Sequence, residues 1–174
     1  MDTLKLPIED WESIQNLALG TSVLQFGFCD GTDTITIAQT ANFVMCVAQS
    51  LTALCVHSSD PFASWDRTVH DAGYGNKVIG TSAAYTRVLN LWPAKSFGLA
   101  VVNVFAIGDH DPVTALTEAG YLADTVVVID DEQRSCEPPV HMLFDQPETV
   151  IVRSGTLWVV KHVPDAAAWT AVGD

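Results

Sequence analysis

Apolar residues recur along this chain with two different spacings, and each spacing predicts a kind of element. Residues 7–20, PIEDWESIQNLALG, carry apolar side chains at helical spacing and end in glycine, which predicts a first helix. Residues 42–48, NFVMCVA, form a short continuous apolar run, which is typical of a buried strand. Residues 99–107, LAVVNVFAI, are apolar on both faces, as the central strands of a covered sheet are.

Two stretches predict β-hairpins, because in each of them two β-rich runs flank a turn dipeptide. The first is VLQFGFCDGTDTITIA, with Asp30-Gly31 at its centre. The second is ETVIVRSGTLWVVKHV, with Ser154-Gly155 at its centre. Each hairpin is expected to add an antiparallel pair of strands to the fold.

Helix and strand alternate through the middle of the chain. TSAAYTRVLNLWPAKSFG predicts a helix capped by Thr81 or Ser82, since a hydroxyl oxygen accepts from free amides at a helix start, and Gly98 closes this unit. DPVTALTEAG predicts a short helix with Asp111 as its cap and Pro112 at its first position. TVVVID predicts another buried strand, and PDAAAWTAV predicts a final helix.

Two segments show no regular spacing. Residues 49–80 include SSDPFASWDRTVHDAGYGN and predict a long loop with a helical turn, and DEQRSCEPPVH, with its two prolines, predicts an irregular loop. The whole pattern predicts a single α/β domain over residues 1–174. Its expected fold class is a three-layer domain with a mixed, mainly parallel central sheet flanked by helices, plus the two β-hairpins.

The charge balance restricts the partners that this chain can have. Asp and Glu total 21 against 8 Lys and Arg, which gives a formal net charge of −13. Binding to duplex nucleic acid depends on cationic contacts to phosphate, so a duplex is disfavoured and a nucleotide or small metabolite is the expected partner. The acidic surface serves either solubility or docking on a basic protein, and a homo-oligomer is a further alternative.

Composition is that of a globular domain in a reducing compartment. Hydrophobic residues make up 48% and charged ones 17%, which is enough to build a core. No apolar run reaches the roughly 18–20 residues of a membrane-spanning helix, and MDTLKLPIEDWE lacks the features of a secretory signal, so no membrane partner is expected. The four cysteines form no C-x-x-C pair, which favours the cytoplasm of a bacterium or of an infected host cell.

The first candidate site lies where the strand over residues 99–107 ends. Asn103, an amide inside an apolar strand, either ties down a neighbouring loop or recognises a ligand in a pocket. Asp109 and His110 are candidate catalytic acids or bases, and Asp111 is a candidate ligand contact, because ligands bind at the carboxyl ends of parallel strands. The same three residues also suit a polar turn and a helix start.

A second candidate site lies in the long loop. Asp66 and His70 are four residues apart and share a helix face, so the pair is a candidate for catalysis by water activation. Asp60 and Trp65 are candidate ligand-binding residues beside it. The alternative is a capped surface helix with Trp65 packed beneath it.

No cofactor follows from the motifs. The chain contains no P-loop, G-x-G-x-x-G, H-E-x-x-H or G-x-S-x-G sequence, so the cofactor is unknown. A three-histidine site formed by His57, His70 and His110 is one arrangement that would hold a metal ion. The sequence leaves the use of a metal open.

The block TSAAYTRVLNLWPAKSFGLAVVNVFAIGDHDPVTAL resembles a small uncharacterised family of bacterial and phage proteins, domain of unknown function 1643. That family carries a helix, a G-L-x-V-V-N-L-F-A strand and a D-P-x-x-L segment, and an earlier strand that ends in F-V-M-L. The matching residues here are Gly98, Leu99, Val101, Val102, Asn103, Phe105, Ala106, Asp111, Pro112 and Leu116, with Phe43, Val44 and Met45 in the earlier strand.

The chain also departs from that family. The Asn-Pro pair of the family's N-P-S-T-A-D loop is replaced by Val47-Ala48, so the chain is either a divergent member without that loop or shares only the strand pattern. The family's layout is similar to the uracil-DNA-glycosylase-like α/β fold, in which a strand-end loop and a strand-end asparagine build a base-binding pocket. The resemblance therefore implies that Asn103 binds a base, by analogy of fold.

Two functions follow from these observations. The first is an enzyme-like protein of phage or bacterial origin that processes a nucleotide or a nucleic-acid base, with its pocket at the carboxyl ends of the strands. The alternative is a non-catalytic assembly component of a phage or bacterium, or an acidic protein-binding inhibitor.

Overall fold

A computed structural model describes most of the chain, namely residues 6–28, 31–48, 61–82, 92–104, 112–130, 136–145, 149–154 and 157–161. The helices within these ranges are α1 (Ile8–Ala18), α2 (Thr32–Ala38), α3 (Pro61–Asp71), α4 (Pro112–Leu122) and α5 (Glu137–Phe144). The strands are β1 (Ser22–Phe26), β2 (Phe43–Ala48), β3 (Val78–Ser82), β4 (Phe97–Asn103), β5 (Ala123–Ile129), β6 (Val150–Ser154) and β7 (Leu157–Lys161).

All seven strands form one sheet, in the order β3-β2-β1-β4-β5-β7-β6. The first five strands along the chain are parallel to one another, whereas β7 is antiparallel to both β5 and β6. The sheet is therefore mixed and mainly parallel, as the sequence predicts. Strand β4 lies between β1 and β5, which confirms that LAVVN is an interior strand.

Helices cover both faces of this sheet, so the domain has three layers. On one face, Ile14 of α1, Ile37 of α2 and Trp65 of α3 pack in a core with alternate residues of the central strands. On the other face, Leu116 of α4 and Val140 of α5 pack with the remaining residues of the same strands. Strands buried on both faces must be apolar throughout, which explains the continuous hydrophobic runs in the sequence.

The prediction of a hairpin at Asp30-Gly31 is wrong. The segment TDTITIA, which alternates like a strand, is helix α2. Its buried residues are Thr34, Ile37 and Ala38, which have the i, i+3, i+4 spacing of a helix face. Because β1 and β2 are parallel, their connection must cross over the sheet, and a two-residue turn cannot do this.

The prediction of a long loop over residues 49–80 is also wrong for its described part. Residues 61–71 form the whole of α3, and β3 begins at Val78. Thr81 and Ser82, predicted to cap a helix, lie at the end of β3 instead. The apolar content of this edge strand, VIGTS, is too low to show as a strand in sequence, and its pairing with β2 decides its conformation.

Two smaller predictions are corrected by the structure. The loop predicted around Pro138 and Pro139 contains helix α5, because proline is tolerated in the first turn of a helix, where amide groups have no helical partner. Gly98 does not close a helix but lies inside β4, where a Cβ atom would collide with the hydroxyl of Thr21. Gly98 therefore permits close packing at the start of this central strand.

The other described predictions hold. Helix α1, strands β2 and β5, helix α4 and the hairpin of β6 and β7 lie where the sequence places them, whereas the strand predicted over residues 99–107 begins at Phe97 and ends at Asn103. The predicted final helix, and residues 83–91 of the helix predicted for TSAAYTRVLNLWPAKSFG, fall outside the described residues. In the described part of the chain, every helix is too short or too polar to cross a bilayer.

Candidate functional site

The topology of the sheet places a switch point between β1 and β4, where open α/β sheets form a crevice. From β1 the chain moves outward to β2 and β3, and from β4 it moves to β5 on the opposite side. The connections that follow β1 and β4 therefore diverge at the carboxyl ends of these two strands. In open α/β sheets, ligands bind at such a switch point.

A turn with two left-handed glycines lies at the end of β1. Gly27 has a φ angle of 76° and Gly31 one of 101°, and side chains rarely adopt either conformation. A Cβ atom on Gly31 would lie 3.2 Å from Cβ of Thr68 and 3.3 Å from the carbonyl oxygen of Trp65. Gly31 therefore lets the backbone after β1 pack closely against α3.

A buried polar network supports this turn from below. Thr34 Oγ1 donates to Oε1 of Gln25 at 2.8 Å and accepts from Nε1 of Trp65 at 3.1 Å. The Cys46 thiol also donates to Gln25 Oε1, at 3.3 Å. The network joins β1, α2, β2 and α3 through uncharged groups, and burial raises the pKa of the Cys46 thiol to about 12, which keeps it protonated.

Asn103 meets a carboxylate at the mouth of the crevice. The pairing of Phe26 with Val102 places Asn103, the last residue of β4, level with Gly27. Its Nδ2 donates to Oδ2 of Asp33, in the first turn of α2, at 3.4 Å. Asn103 is 6% exposed, so the amide is held in the wall of the crevice and bridges its two sides.

A second carboxylate at the same edge has a structural role. Asp130 follows β5 and accepts from the backbone amide of Cys136 at 2.8 Å and from Nε1 of Trp158 at 2.9 Å. The Trp158 ring contacts the Arg153 guanidinium, with Cζ 4.6 Å from the ring centroid. The His141 ring meets it edge-on at 5.7 Å. Asp130 therefore joins β5, α5 and β7.

The predicted residues of the long loop fall in two different environments. Trp65 is 1% exposed and packs on Phe28, with ring centroids 4.7 Å apart, so it belongs to the core beneath the glycine turn. Asp66 and His70 do share a helix face, with Nδ1 of His70 3.3 Å from Oδ1 of Asp66. Their side chains are more than half exposed on α3, whereas Asn103 is buried at the end of β4. The catalytic role of the pair stays a prediction.

The remaining predicted residues fall outside the described part of the chain. These are His57, Asp60, Asp109, His110 and Asp111. Their roles in catalysis, ligand binding or metal binding stay predictions. Within the described ranges, no three His, Cys, Asp or Glu side chains are grouped closely enough to hold a metal ion.

Sequence reasoning missed Gly27, Gly31 and Asp33. The signal was present in QFGFCDGTDT, where a strand runs into two glycines four residues apart and then into a helix. The same Asp-Gly pair also matches a hairpin turn, and the Thr-Ile alternation that follows favoured that interpretation. Only the parallel pairing of β1 with β2 separates the two.

The fold is shared with solved structures of methyltransferases and of a cofactor-bound protein. The O-methyltransferase TomG from Streptomyces achromogenes, in complex with SAM, aligns with a TM-score of 0.70 over 92% of this chain and 82% of its own, at 14% identity. The cofactor-bound protein Rv0187 from MTB aligns with a TM-score of 0.70 over 95% of this chain and 84% of its own, at 13% identity. An rRNA methylase from Streptococcus thermophilus aligns with a TM-score of 0.60 over 94% of this chain and 100% of its own, also at 13% identity.

These likenesses establish the fold, which is a Rossmann-like three-layer α/β fold. At such low identity they carry no further conclusion about activity. No protein-family model matches the chain, and no curated protein matches it either. The resemblance to the bacterial and phage family of unknown function stays a prediction.

Proposed function

We propose that this chain binds S-adenosylmethionine in the crevice between β1 and β4 and transfers its methyl group to a small molecule. The observation that supports this most is the glycine turn at the switch point of a sheet that TomG shares. TomG binds S-adenosylmethionine and is an O-methyltransferase. The proposal keeps the predicted pocket at the carboxyl ends of the strands and replaces its expected base-processing chemistry with methyl transfer.

The residues at the crevice fit a nucleoside cofactor of this kind. A Cβ atom on Gly31 would press against α3, so this glycine lets the turn pack closely on that helix. A glycine at the end of β1 also lets the adenine ring and the ribose of a cofactor approach the main chain. Gln25 and Thr34 hold the turn in position from the core side through their 2.8 Å hydrogen bond. When bound, the cofactor supplies an electrophilic methyl group on a sulfonium.

The substrate class follows from the charge of the chain. A formal net charge of −13 repels polyphosphate and leaves few cations for an RNA surface. A small metabolite with a nucleophilic oxygen or nitrogen fits this electrostatic field better than a nucleic acid does. The chain's own part in the transfer is to orient the two reactants at the crevice and to exclude water from it.

Direct binding measurements test the proposal. Calorimetric titration with S-adenosylmethionine and with S-adenosylhomocysteine is expected to give saturable binding of one ligand per chain. Gly27→Ala is expected to weaken both affinities at least about 10-fold, because a side chain at the end of β1 displaces either the ligand or the turn.

The matched control is Gly20→Ala. Gly20 has a φ angle of 68°, close to that of Gly27, but it precedes β1 and has nothing within 4 Å of a built Cβ. Both variants carry a similar backbone cost of roughly 1–2 kcal/mol, and they differ in their position relative to the crevice. Absence of binding to the wild-type chain, or equal affinities in the two variants, would contradict the proposal.

A second candidate is the protein-binding role that the sequence left open. Strand β6 lies at the edge of the sheet and exposes Val150 and Val152, which are 48% and 50% accessible. Unprotected edge strands with apolar side chains favour pairing with another chain. Light scattering at low concentration tests this role, since a strict monomer that binds no partner counts against it.

A further inference from the structure

One residue of α3, Trp65, meets the glycine turn at both of its ends. On the β1 side, the ring of Phe28 packs on the Trp65 indole, with ring centroids 4.7 Å apart. On the α2 side, a Cβ atom built on Gly31 would lie 3.3 Å from the carbonyl oxygen of Trp65, so the two backbones are close together there. Trp65 is 1% exposed, so both contacts lie inside the protein. A shift of α3 would therefore reach both ends of the turn.

The same indole is joined to β1 by a chain of two hydrogen bonds. Its Nε1 donates to Oγ1 of Thr34 at 3.1 Å, and that hydroxyl donates to Oε1 of Gln25 at 2.8 Å. Gln25 lies in β1, two residues before Gly27. Thr34 and Gln25 are both buried, so a group in this chain that loses its partner cannot turn to water instead. The positions of α3, α2 and β1 therefore depend on one another.

Apolar packing of α3 holds the helix on the sheet but does not fix it with the same precision. Val69, one turn further along α3, is also 1% exposed and packs in the same core as Trp65. Its contacts are non-directional, so they survive small shifts of the helix. A hydrogen bond, by contrast, weakens steeply as its angle departs from linearity. Trp65 therefore both fills the core, as Val69 does, and sets the position of α3 relative to the turn.

We propose that Trp65 is a positioning residue for the cofactor, because its indole N–H group acts through Thr34 to hold the glycine turn in the conformation that binds S-adenosylmethionine. The inference rests on the proposed binding of that cofactor at the crevice. It adds that the affinity depends on the position of α3. Coupling between a binding site and another element is reciprocal, so bound cofactor also holds α3 more firmly in place.

Conservative variants separate the hydrogen bond from the burial of the side chain. Trp65→Phe keeps an aromatic ring and removes the N–H donor. Its calorimetric affinities for S-adenosylmethionine and S-adenosylhomocysteine are expected to be about 3- to 10-fold weaker, because the turn is held less firmly. Thr34→Val, which removes the hydroxyl, is expected to give a similar loss without any change in the indole. Thr34→Ser, which keeps the hydroxyl, is expected to bind both ligands within about twofold of wild type.

The matched control is Val69→Ala, which removes buried apolar atoms from the same face of α3 and leaves the hydrogen bonds of Trp65 in place. It is expected to lower the urea midpoint of unfolding, since a cavity is created, but to bind both ligands within about twofold of wild type. If Val69→Ala weakens binding as much as Trp65→Phe does, the effect is general destabilisation and the positioning role is overturned.

Hydrogen exchange of the α3 amides measures the reciprocal effect. In the wild-type chain, saturating S-adenosylhomocysteine is expected to slow exchange in α3 at least about threefold more than in α5, which packs on the opposite face of the sheet. In Trp65→Phe this excess protection is expected to disappear. A purely structural role of Trp65 would change the stability of α3 equally with and without the ligand.

The outcomes distinguish this inference from the proposed function. If the wild-type chain binds S-adenosylmethionine and both Trp65→Phe and Thr34→Val bind it equally well, the positioning role is overturned and the proposed function stands. The same conclusion follows if Thr34→Ser loses as much affinity as Thr34→Val, or if bound ligand gives α3 no excess protection. If the wild-type chain binds neither ligand, the proposed function itself fails.

Discussion

At the scale of single residues, the polar network below the glycine turn contains one ionisable group, the Cys46 thiol, and burial keeps it uncharged. The thiol of Cys46 lies between β1 and α2, within 3.3 Å of Gln25 Oε1 and 3.9 Å of Thr34 Oγ1. Burial raises its pKa from 9.0 to about 12, and the hydrogen bond with Thr34 lowers it by a smaller amount. The network therefore keeps a neutral donor at physiological pH, and a thiolate there would lack solvation.

This shift makes stability depend on pH in the alkaline range. Because the pKa is higher in the folded than in the unfolded chain, the thiol stabilises the fold fully below pH 9 and loses this contribution as the pH rises toward 12. We expect Cys46 to add up to about 1.4 kcal/mol per pH unit to the fall in the free energy of unfolding. Urea unfolding between pH 7 and about pH 10.5 measures it.

The control for this prediction is Cys46→Ala, which removes the titrating group. The variant is expected to be less stable at pH 7, since a buried side chain is lost, but to show a shallower alkaline slope than wild type. Equal slopes in the two proteins would mean that burial does not raise the pKa of the Cys46 thiol.

The residue scale also shows the limits of sequence reasoning about the site. Asn103 was recognisable because an amide inside an apolar strand needs a partner. Its partner, Asp33, was not, since the two residues are 70 positions apart and Asp33 lies in a segment with the alternation of a strand. The contact exists because β1 and β4 are neighbours, which no local pattern encodes.

At the scale of elements, α3 supports the site from beneath the glycine turn. Its Trp65 side chain is fully packed between Phe28 and the network around Thr34, and its backbone closes on Gly31. The sequence indicates that Asp66 and His70 share a helix face, but the composition of the rest of this region is typical of a loop. Helix α3 buries one narrow row of side chains. This row can be recognised in the sequence only when the position of the neighbouring helix α2 is known.

Removing the Trp65 side chain tests the role of α3. Trp65→Ala is expected to cost about 3–5 kcal/mol in the free energy of unfolding, because a large buried side chain and a hydrogen bond to Thr34 are lost together. Trp11→Ala in α1 is the matched control, since Trp11 is only partly buried and has a smaller expected cost. Urea unfolding measures both, and a Trp65 cost no larger than that of Trp11 would contradict this account of α3.

At the scale of the whole molecule, the excess of acidic residues opposes compactness. Twenty-one acidic against eight basic residues give a net charge of −13 on a chain of 174 residues. Like charges on a folded surface lie closer together than in the unfolded chain, so their mutual repulsion lowers the free energy of unfolding. Salt screens this repulsion over distances longer than about 10 Å at 0.1 M.

The charge therefore predicts that salt stabilises the protein. Raising NaCl from about 20 mM to about 500 mM is expected to increase Tm by roughly 2–4 °C, the shift that about 1 kcal/mol gives in a domain of this size. KCl is expected to give the same increase, since screening does not depend on the cation. Differential scanning calorimetry measures the change, and a Tm that is constant or falls with salt would show that repulsion is not significant.

The sequence by itself determined the three-layer α/β architecture, because strands buried on both faces must be continuously apolar and helices that cover them must be amphipathic. It also placed Asn103 within an interior strand, and the structure shows that this strand ends at Asn103. The tertiary structure alone decided that TDTITIA is a helix, since the parallel pairing of β1 with β2 requires a crossover there. It also decided where the crevice lies, because the order of strands in a sheet is set by contacts between distant segments and leaves no periodic trace in the chain.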